Sequence, residues 1–74
     1  MEAILNALTH KSYSKEGKTF DYYEALLTFN ENDTCFVNCQ LQRPLNEYKV
    51  GEAVDVGITV KAWNHKPSIK YTLY

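Results

Sequence analysis

Two lysines and two aromatic residues around the first glycine of the chain have the types and the spacing of a nucleic-acid-binding surface. Lys15 and Lys18 flank Gly17, and Phe20 and Tyr22 follow at the next even positions. Alternate residues of a β-strand face the same side, so Lys18, Phe20 and Tyr22 are expected to share one surface. Ammonium groups attract phosphates, and aromatic rings stack on bases of any sequence. The segment therefore predicts a surface for single-stranded nucleic acid.

Similar residues on other predicted strands extend this candidate surface. The full set of candidate nucleic-acid-binding residues is Lys15, Lys18, Phe20, Tyr22, Phe36, Lys61, Trp63, Lys66 and Lys70. Each has an alternative role, because aromatic residues are also common in cores and at dimer interfaces, and most surface lysines are simply solvated. Phe20 and Tyr22 favour the binding role most, since the opposite row of their strand already supplies apolar residues for a core.

Five predicted strands must position these side chains. Alternating apolar and polar residues between turn-forming residues predict strands at 2–13, 19–29, 34–41, 54–63 and 69–74. A short helix is an alternative for 2–8, where both rows are partly apolar. Turns are predicted at 14–18, 30–33, 48–52 and 64–67, and a loop is predicted at 43–47. Gly17 is free to take a positive φ in the first turn, and Gly57 is expected to mark a bulge. The pattern predicts an all-β single domain (residues 1–74), a small five-stranded OB-like barrel, and an SH3-like barrel fits it too.

One apolar row on each strand is expected to form the core. The predicted rows are Tyr23, Ala25, Leu27 and Phe29; Cys35, Val37, Cys39 and Leu41; Val54, Val56, Ile58, Val60 and Ala62; and Ile69, Tyr71 and Leu73. Cys35 and Cys39 lie about 13 Å apart on a strand, at ~3.3 Å per residue, which is too far for a disulfide. We therefore expect two reduced core thiols, which are typical of cytoplasmic proteins.

Composition and motifs narrow the function classes. No apolar run approaches the ~20 residues of a membrane-spanning helix, and the N-terminus lacks the basic and apolar regions of a signal peptide, so a cytoplasmic location is expected. No phosphate-cradling glycine loop, zinc-protease helix or nucleophile elbow is present, so we expect neither an enzyme nor a cofactor. Cys35 and Cys39 lack a second close pair of ligands, so no metal site is expected.

The charge balance bears on the choice of partner. The net charge of −1 is low for a general DNA-binding protein, so the placement of the lysines has to matter more than their number. The same balance favours an alternative reading as a protein-binding module, a phage or host regulator that docks a protein partner by an edge strand and an aromatic patch. A third reading is an RNA-binding cold-shock-like domain, because the chemistry of lysines and aromatic rings suits both DNA and RNA.

The first hairpin also carries a family resemblance. The segment 14–20, continued by Glu24 and Leu26, resembles the DNA-binding wing of the gene-five single-stranded-DNA-binding proteins of filamentous phages. The shared features are a basic residue, a Gly-Lys pair and an aromatic residue at this spacing, followed by a glutamate and an apolar strand. Gly51 before a valine-rich strand, a hairpin with an aromatic arm and an apolar last strand follow the order of the family.

This resemblance implies a fold, a partner and a mode of binding. It implies an OB-like barrel that forms a homodimer and coats single-stranded DNA cooperatively, with little sequence preference, during phage DNA replication in the host cytoplasm. By motif position it assigns DNA contacts to Lys15, Lys18 and Phe20, with Tyr22 at a further contact on the same strand. It places Trp63 and Lys66 in the hairpin that supports dimer and cooperative contacts in the family.

Overall fold

Five strands form a closed β-barrel in a computed structural model that describes all 74 residues. The strands are β1 Glu2–Lys15, β2 Lys18–Thr28, β3 Thr34–Leu41, β4 Ala53–Trp63 and β5 Lys66–Leu73. Their order around the barrel is β1-β2-β3-β5-β4, with β3 and β5 parallel and all other neighbours antiparallel. The predicted all-β, five-stranded OB-like barrel is confirmed. The only helix is a 3-10 turn at Leu45–Glu47, and none is long and apolar enough to cross a membrane.

The core lies where all five strands meet. It consists of Ala3, Leu5, Ala25, Leu27, Val37, Cys39, Val54, Val56 and Leu73. These residues alternate with exposed or half-exposed ones along each strand, as expected for a sheet with one face turned to the core. Leu5, Leu27 and Leu73 are fully buried, and each contributes about 1.5–3 kcal/mol through the removal of its side chain from water.

A bulge in β1 determines which residues of the first hairpin face outward. Leu5 pairs with Leu27 and Ala7 pairs with Leu26, so Asn6 is the extra residue. The inward positions of β1 are therefore odd before the bulge and even after it. The bulge predicted at Gly57 is wrong, because Gly57 pairs regularly with Thr72. A Cβ atom at Gly57 would lie 2.7 Å from the ring of Tyr74, so a larger residue there requires this exposed ring to move.

Two hairpins extend beyond the barrel as two-stranded arms. β2 pairs with β3 only as far as Tyr23, so residues 11–22 form the β1–β2 arm. β5 pairs with β3 only from Tyr71 onward, so residues 58–70 form the β4–β5 arm. Both arms end in two-residue turns in which each residue has a positive φ, Glu16-Gly17 and Asn64-His65. The predicted turns at 14–18 and 64–67 are both too long, because Ser14 and Lys15 belong to β1, Lys18 belongs to β2, and Lys66 and Pro67 belong to β5.

The arms explain why several predicted core residues are not buried. Ile58, Val60 and Ile69 have the expected inward orientation but are exposed, because no other strand lies opposite the β4–β5 arm.

Of the two cysteines of β3, Cys35 is exposed and Cys39 is buried, so the prediction of two core thiols is wrong for Cys35. Both thiols are free, as predicted.

The loop between β3 and β4 uses the only arginine of the chain for the fold. The Arg43 guanidinium lies 4.6 Å from the ring centroid of Tyr48 and donates a 3.0 Å hydrogen bond to the carbonyl oxygen of Tyr74. The Tyr48 hydroxyl donates to the carbonyl oxygen of Leu73 at 2.7 Å. These contacts hold the loop against the end of β5, so lysines are the cations left for a ligand.

Candidate nucleic-acid interface

The outer face of the β1–β2 arm carries three cross-strand pairs of basic and aromatic residues. The pairs are Lys15 with Lys18, Tyr13 with Phe20, and Lys11 with Tyr22. The two-residue turn sets the pairing of β1 with β2, and the bulge at Asn6 makes the odd-numbered residues of β1 face outward after it. All six side chains therefore lie on the surface that continues the outside of the barrel. The core-facing side of the arm carries polar pairs instead, Ser12 with Asp21 and Ser14 with Thr19.

The aromatic residues of the arm form one cluster. The rings of Tyr13 and Phe20 are stacked, with centroids 5.1 Å apart and planes at 22°, and the ring of Tyr22 meets Tyr13 edge-on at 6.0 Å. Tyr13 is 52% exposed and Phe20 is 42% exposed, so both keep ring surface free after packing on each other. Tyr22 is half-buried. A free ring face of this kind can accept a base by stacking.

The two lysines that flank the first turn form no ion pair within the protein. Lys15 and Lys18 lie directly opposite each other, and neither has a carboxylate within ion-pair distance. Like charges in this position are destabilising, and a bound anion relieves the repulsion. Lys11 differs, because its ammonium group lies 3.2 Å from Glu24. The turn therefore presents two lysines without an ion pair next to the aromatic cluster, with Glu16 between them in the chain.

A groove of about 650 Å³ continues from this cluster between the two arms. β3 and β5 share only three pairs of residues, from Cys39–Tyr71 to Leu41–Leu73, and the parts of the two strands that precede these pairs are not paired with each other. The residues that line the groove are Tyr13, Tyr22, Asn38, Cys39, Gln40, Thr59, Lys61, Ile69, Lys70, Tyr71 and Thr72. Its volume lies within the range of about 300–1,000 Å³ that is typical of ligand sites.

The predicted site residues divide into three groups. Tyr22, Lys61 and Lys70 line the groove. Lys15, Lys18 and Phe20 lie on the adjoining outer face of the β1–β2 arm. The other three, Phe36, Trp63 and Lys66, do not line the groove.

The three outlying residues occupy two further places. Phe36 is 65% exposed on the outer face of β3, opposite Leu26. Trp63 is 81% exposed and pairs with Lys66 at the end of the β4–β5 arm. These three residues therefore lie outside the groove, and their part in binding stays a prediction.

The sequence reading missed several residues of the site, among them Tyr13, Asn38 and Gln40. Tyr13 could have been found, because a two-residue turn at Glu16-Gly17 places it opposite Phe20. Asn38 and Gln40 carry no such signal, since their place in the groove depends on the contact between β3 and β5, which are distant in the chain.

Cys39 is the titratable group of the site whose pKa is shifted. Burial raises the pKa of the Cys39 thiol to about 11, because the charged thiolate is poorly solvated there. The thiol is therefore protonated at neutral pH and is a poor nucleophile. His10 lies 3.2 Å from Asp21 on the other side of the arm. No group of three or more His, Cys, Asp and Glu side chains could hold a metal ion.

The site thus consists of an aromatic cluster, an unpaired lysine turn and a groove whose rim carries two more lysines. The pairing of β1 with β2 forms the aromatic cluster and the lysine turn, and the pairing of β4 with β5 positions the strands that carry Lys61 and Lys70 at the groove. The chain matches no protein-family model, no curated protein and no solved structure.

Proposed function

We propose that this protein binds single-stranded DNA with little dependence on sequence. The observation that carries the proposal is the continuity between the outer face of the β1–β2 arm and the groove. Stacked Tyr13 and Phe20 lie between the lysine turn and Tyr22, which already lines the groove. In OB-type barrels the surface of the second and third strands and the loops that flank it commonly bind oligonucleotides, which adds support by analogy.

The mechanism follows from the chemistry of the two kinds of residue. Lys15 and Lys18 attract the phosphates at the turn, and Lys61 and Lys70 attract them along the groove. The ring of Phe20, which packs on the ring of Tyr13, stacks on a base. The flat faces of bases are accessible only in an unpaired strand. Since every base has a flat face, stacking by itself does not select a sequence. A duplex hides these faces, so it is expected to bind more weakly.

Salt dependence tests this mechanism. The logarithm of the binding constant for poly-dT is plotted against the logarithm of the salt concentration. Each phosphate contact contributes about −0.7 to the slope for a single strand, so four lysine contacts predict a slope of about −3. Lys18→Ala is expected to reduce this slope by about 0.7. Lys49→Ala is the matched control, because Lys49 is exposed in the β3–β4 loop and does not line the groove. Absence of poly-dT binding at low salt, or equal slopes for the three proteins, would refute the proposal.

A homodimer is part of the proposal. Val60, flanked by Ile58 and Ile69 on the core-facing side of the β4–β5 arm, is 63% exposed. Three neighbouring aliphatic side chains on an uncovered strand pair form an apolar patch that a second copy of the same arm can cover across a two-fold axis. A small barrel with only nine buried residues gains stability from such a contact.

Sedimentation of the native protein and of Val60→Lys tests the dimer. The native protein is expected to sediment at twice its chain mass of 8.6 kDa, and the variant at the mass of one chain. Thr59→Lys is the control, because Thr59 lies on the other face of the same strand. A native protein that sediments as a single chain at every concentration would exclude the dimer.

A protein partner is the alternative function, and a separate surface favours it. Phe36 is 65% exposed and lies beside Leu26, outside the groove. Exposed aromatic residues of this kind are common anchors of protein interfaces. A partner that persists after nuclease treatment, and that is lost with Phe36→Ser but retained with Phe20→Ala, would favour this function over DNA binding. A phage origin, a role in DNA replication and a cytoplasmic location stay predictions from the sequence.

A further inference from the structure

The outer face of the β4–β5 arm continues from the groove to the tip of the arm. Alternate residues of a strand share a face, so this face is opposite to the one that carries Val60. Thr59, Lys61, Lys70 and Thr72 lie on the outer face and line the groove. Trp63, Lys66 and Ser68 lie on the same face but nearer the tip. These three residues therefore extend the wall of the groove along the arm.

Positive charge is concentrated in this arm, although the chain as a whole has a net charge of −1. All nine Asp and Glu residues lie between residues 2 and 55, whereas residues 56–74 contain three lysines and no acidic residue. Lys61 lies opposite Ser68. Lys66 and Lys70 are therefore the diagonal neighbours of Lys61, at about 7–8 Å. None of the three lysines has a carboxylate within ion-pair distance, so this face is suited to a polyanion.

The single tryptophan of the chain lies at the end of this face. Trp63 is 81% exposed and lies directly opposite Lys66, in the last pair before the turn. It packs on no other aromatic ring, whereas Tyr13 and Phe20 stack on each other. Trp63 is two residues beyond Lys61, which is about 7 Å along the strand at ~3.3 Å per residue. A strand held at Lys61 therefore needs only a short extension to bring a base onto the indole.

The lysines around Trp63 favour a nucleic acid over a protein as the partner of this face. Exposed tryptophans are common anchors of protein interfaces, but lysines are depleted there. A nucleic acid uses both residue types, since ammonium groups bind phosphates and an indole ring stacks on bases. The hydroxyl groups of Thr59 and Ser68, which lie among the lysines, can donate to phosphate oxygens as well. The residue types of this face thus match an unpaired nucleic-acid strand.

We propose that a bound DNA strand leaves the groove along the outer face of the β4–β5 arm and stacks a base on Trp63. This inference rests on the proposed binding of single-stranded DNA, and it extends that site to the tip of the arm. Lys61 and Lys70 hold the backbone in the groove, and Lys66 adds a phosphate contact at the tip. Oligonucleotides that fill only the groove bind without reaching Trp63, whereas longer ones engage both places.

The fluorescence of Trp63 tests the inference, because the chain contains no other tryptophan. The probes are oligo-dT of about 4 to 16 nucleotides, which is the range of site sizes of OB folds. Anisotropy of end-labelled oligonucleotides measures binding, and the emission of selectively excited Trp63 with unlabelled ones measures contact with a base. The shortest oligonucleotides are expected to bind without changing the emission, and quenching is expected to begin above a threshold length.

Two variants locate the effect at the tip of the arm. Trp63→Ala is expected to bind the longest oligonucleotide about 5- to 150-fold more weakly, through the loss of one stacked base. It should bind the shortest oligonucleotide as the native protein does. Lys66→Ala should reduce the salt slope by about 0.7 for the longest oligonucleotide alone. Phe36→Ala is the matched control, because Phe36 is 65% exposed on another strand, outside the groove, and it is expected to keep the native affinities.

The possible outcomes separate this inference from the function on which it rests. Linear polyphosphate, which has no bases, is expected to compete for the lysines without quenching Trp63. Binding without quenching at any length, complete quenching by the shortest oligonucleotide that binds, or equal quenching by polyphosphate overturns the path to Trp63 alone. The fluorescence measurement needs no variant, so it decides the inference even if Trp63→Ala does not fold. Absence of binding at every length overturns both proposals.

Discussion

Replacement of Phe20 by alanine separates a binding role from a structural one. Phe20 lies on a two-stranded arm, is 42% exposed, and has its main packing partner in Tyr13, whose ring centroid is 5.1 Å away. An exposed cross-strand aromatic pair is worth roughly 0.2–1 kcal/mol, so Phe20→Ala is expected to lower the free energy of unfolding by less than about 1 kcal/mol. A buried residue such as Leu27 would cost about 2–5 kcal/mol when cut to alanine.

The same substitution is expected to have a larger effect on DNA binding. Loss of one stacked base costs about 1–3 kcal/mol, which corresponds to a roughly 5- to 150-fold weaker affinity for oligo-dT. Fluorescence anisotropy at two salt concentrations measures the affinity, and urea unfolding followed by circular dichroism measures the stability. Since stacking involves no counterion release, the salt slope of Phe20→Ala should equal that of the native protein.

Two further variants make the comparison decisive. Phe36→Ala removes an aromatic ring that is 65% exposed but lies outside the groove, and it is expected to change the affinity by less than about twofold. Tyr13→Ala should lower the affinity non-additively with Phe20→Ala, because the two rings are in contact. The reasoning is refuted if Phe20→Ala lowers stability but leaves affinity unchanged, or if Phe36→Ala weakens binding as much as Phe20→Ala does.

The remaining predictions concern the thiols and the first turn. Iodoacetamide should label the exposed Cys35 rapidly at pH 8 and leave the buried Cys39 unmodified in the folded protein. Mass spectrometry of the labelled peptides measures this, and equal labelling of both thiols would contradict the burial of Cys39. Burial raises the pKa of Cys39 to about 11, so this thiol stabilises the fold below about pH 9, and that contribution is lost as the pH rises from about 9 to 11. The loss is about 2–3 kcal/mol for about two pKa units, and it should be absent from the pH profile of urea unfolding of Cys39→Ala. Glu16 has a positive φ of 54°, which asparagine adopts more easily than glutamate does, especially before Gly17. Glu16→Asn should therefore raise the free energy of unfolding by roughly 0.5–1 kcal/mol. An unchanged midpoint of thermal unfolding would count against a strained turn.

The strands of this protein were predictable because their signals are local. The alternation of apolar and polar residues in β3 predicts its bounds, Thr34–Leu41, correctly, and Gly17 has the positive φ expected in the first turn. The outward orientation of Lys18, Phe20 and Tyr22 is equally local, since side chains on a strand alternate with a period of two. Strand identity and side-chain direction are therefore properties of short segments.

Burial and the groove depend on segments that are far apart in the chain. Val54 and Val60 lie in the same apolar row of β4, yet Val54 is buried and Val60 is exposed, because only the first part of β4 pairs with β1 to close the barrel. No local pattern distinguishes them. Asn38 and Gln40 enter the candidate site only because β3 and β5, which are distant in the chain, pair at their last three residues.

The sequence by itself determined the five strands, the first turn and the basic, aromatic face of the β1–β2 arm. Tertiary structure alone decided that Tyr22, Lys61 and Lys70 share a groove, whereas Phe36 and Trp63 lie outside it. The physical reason is that alternation specifies the side of a strand to which a residue points, while barrel closure specifies what lies on that side.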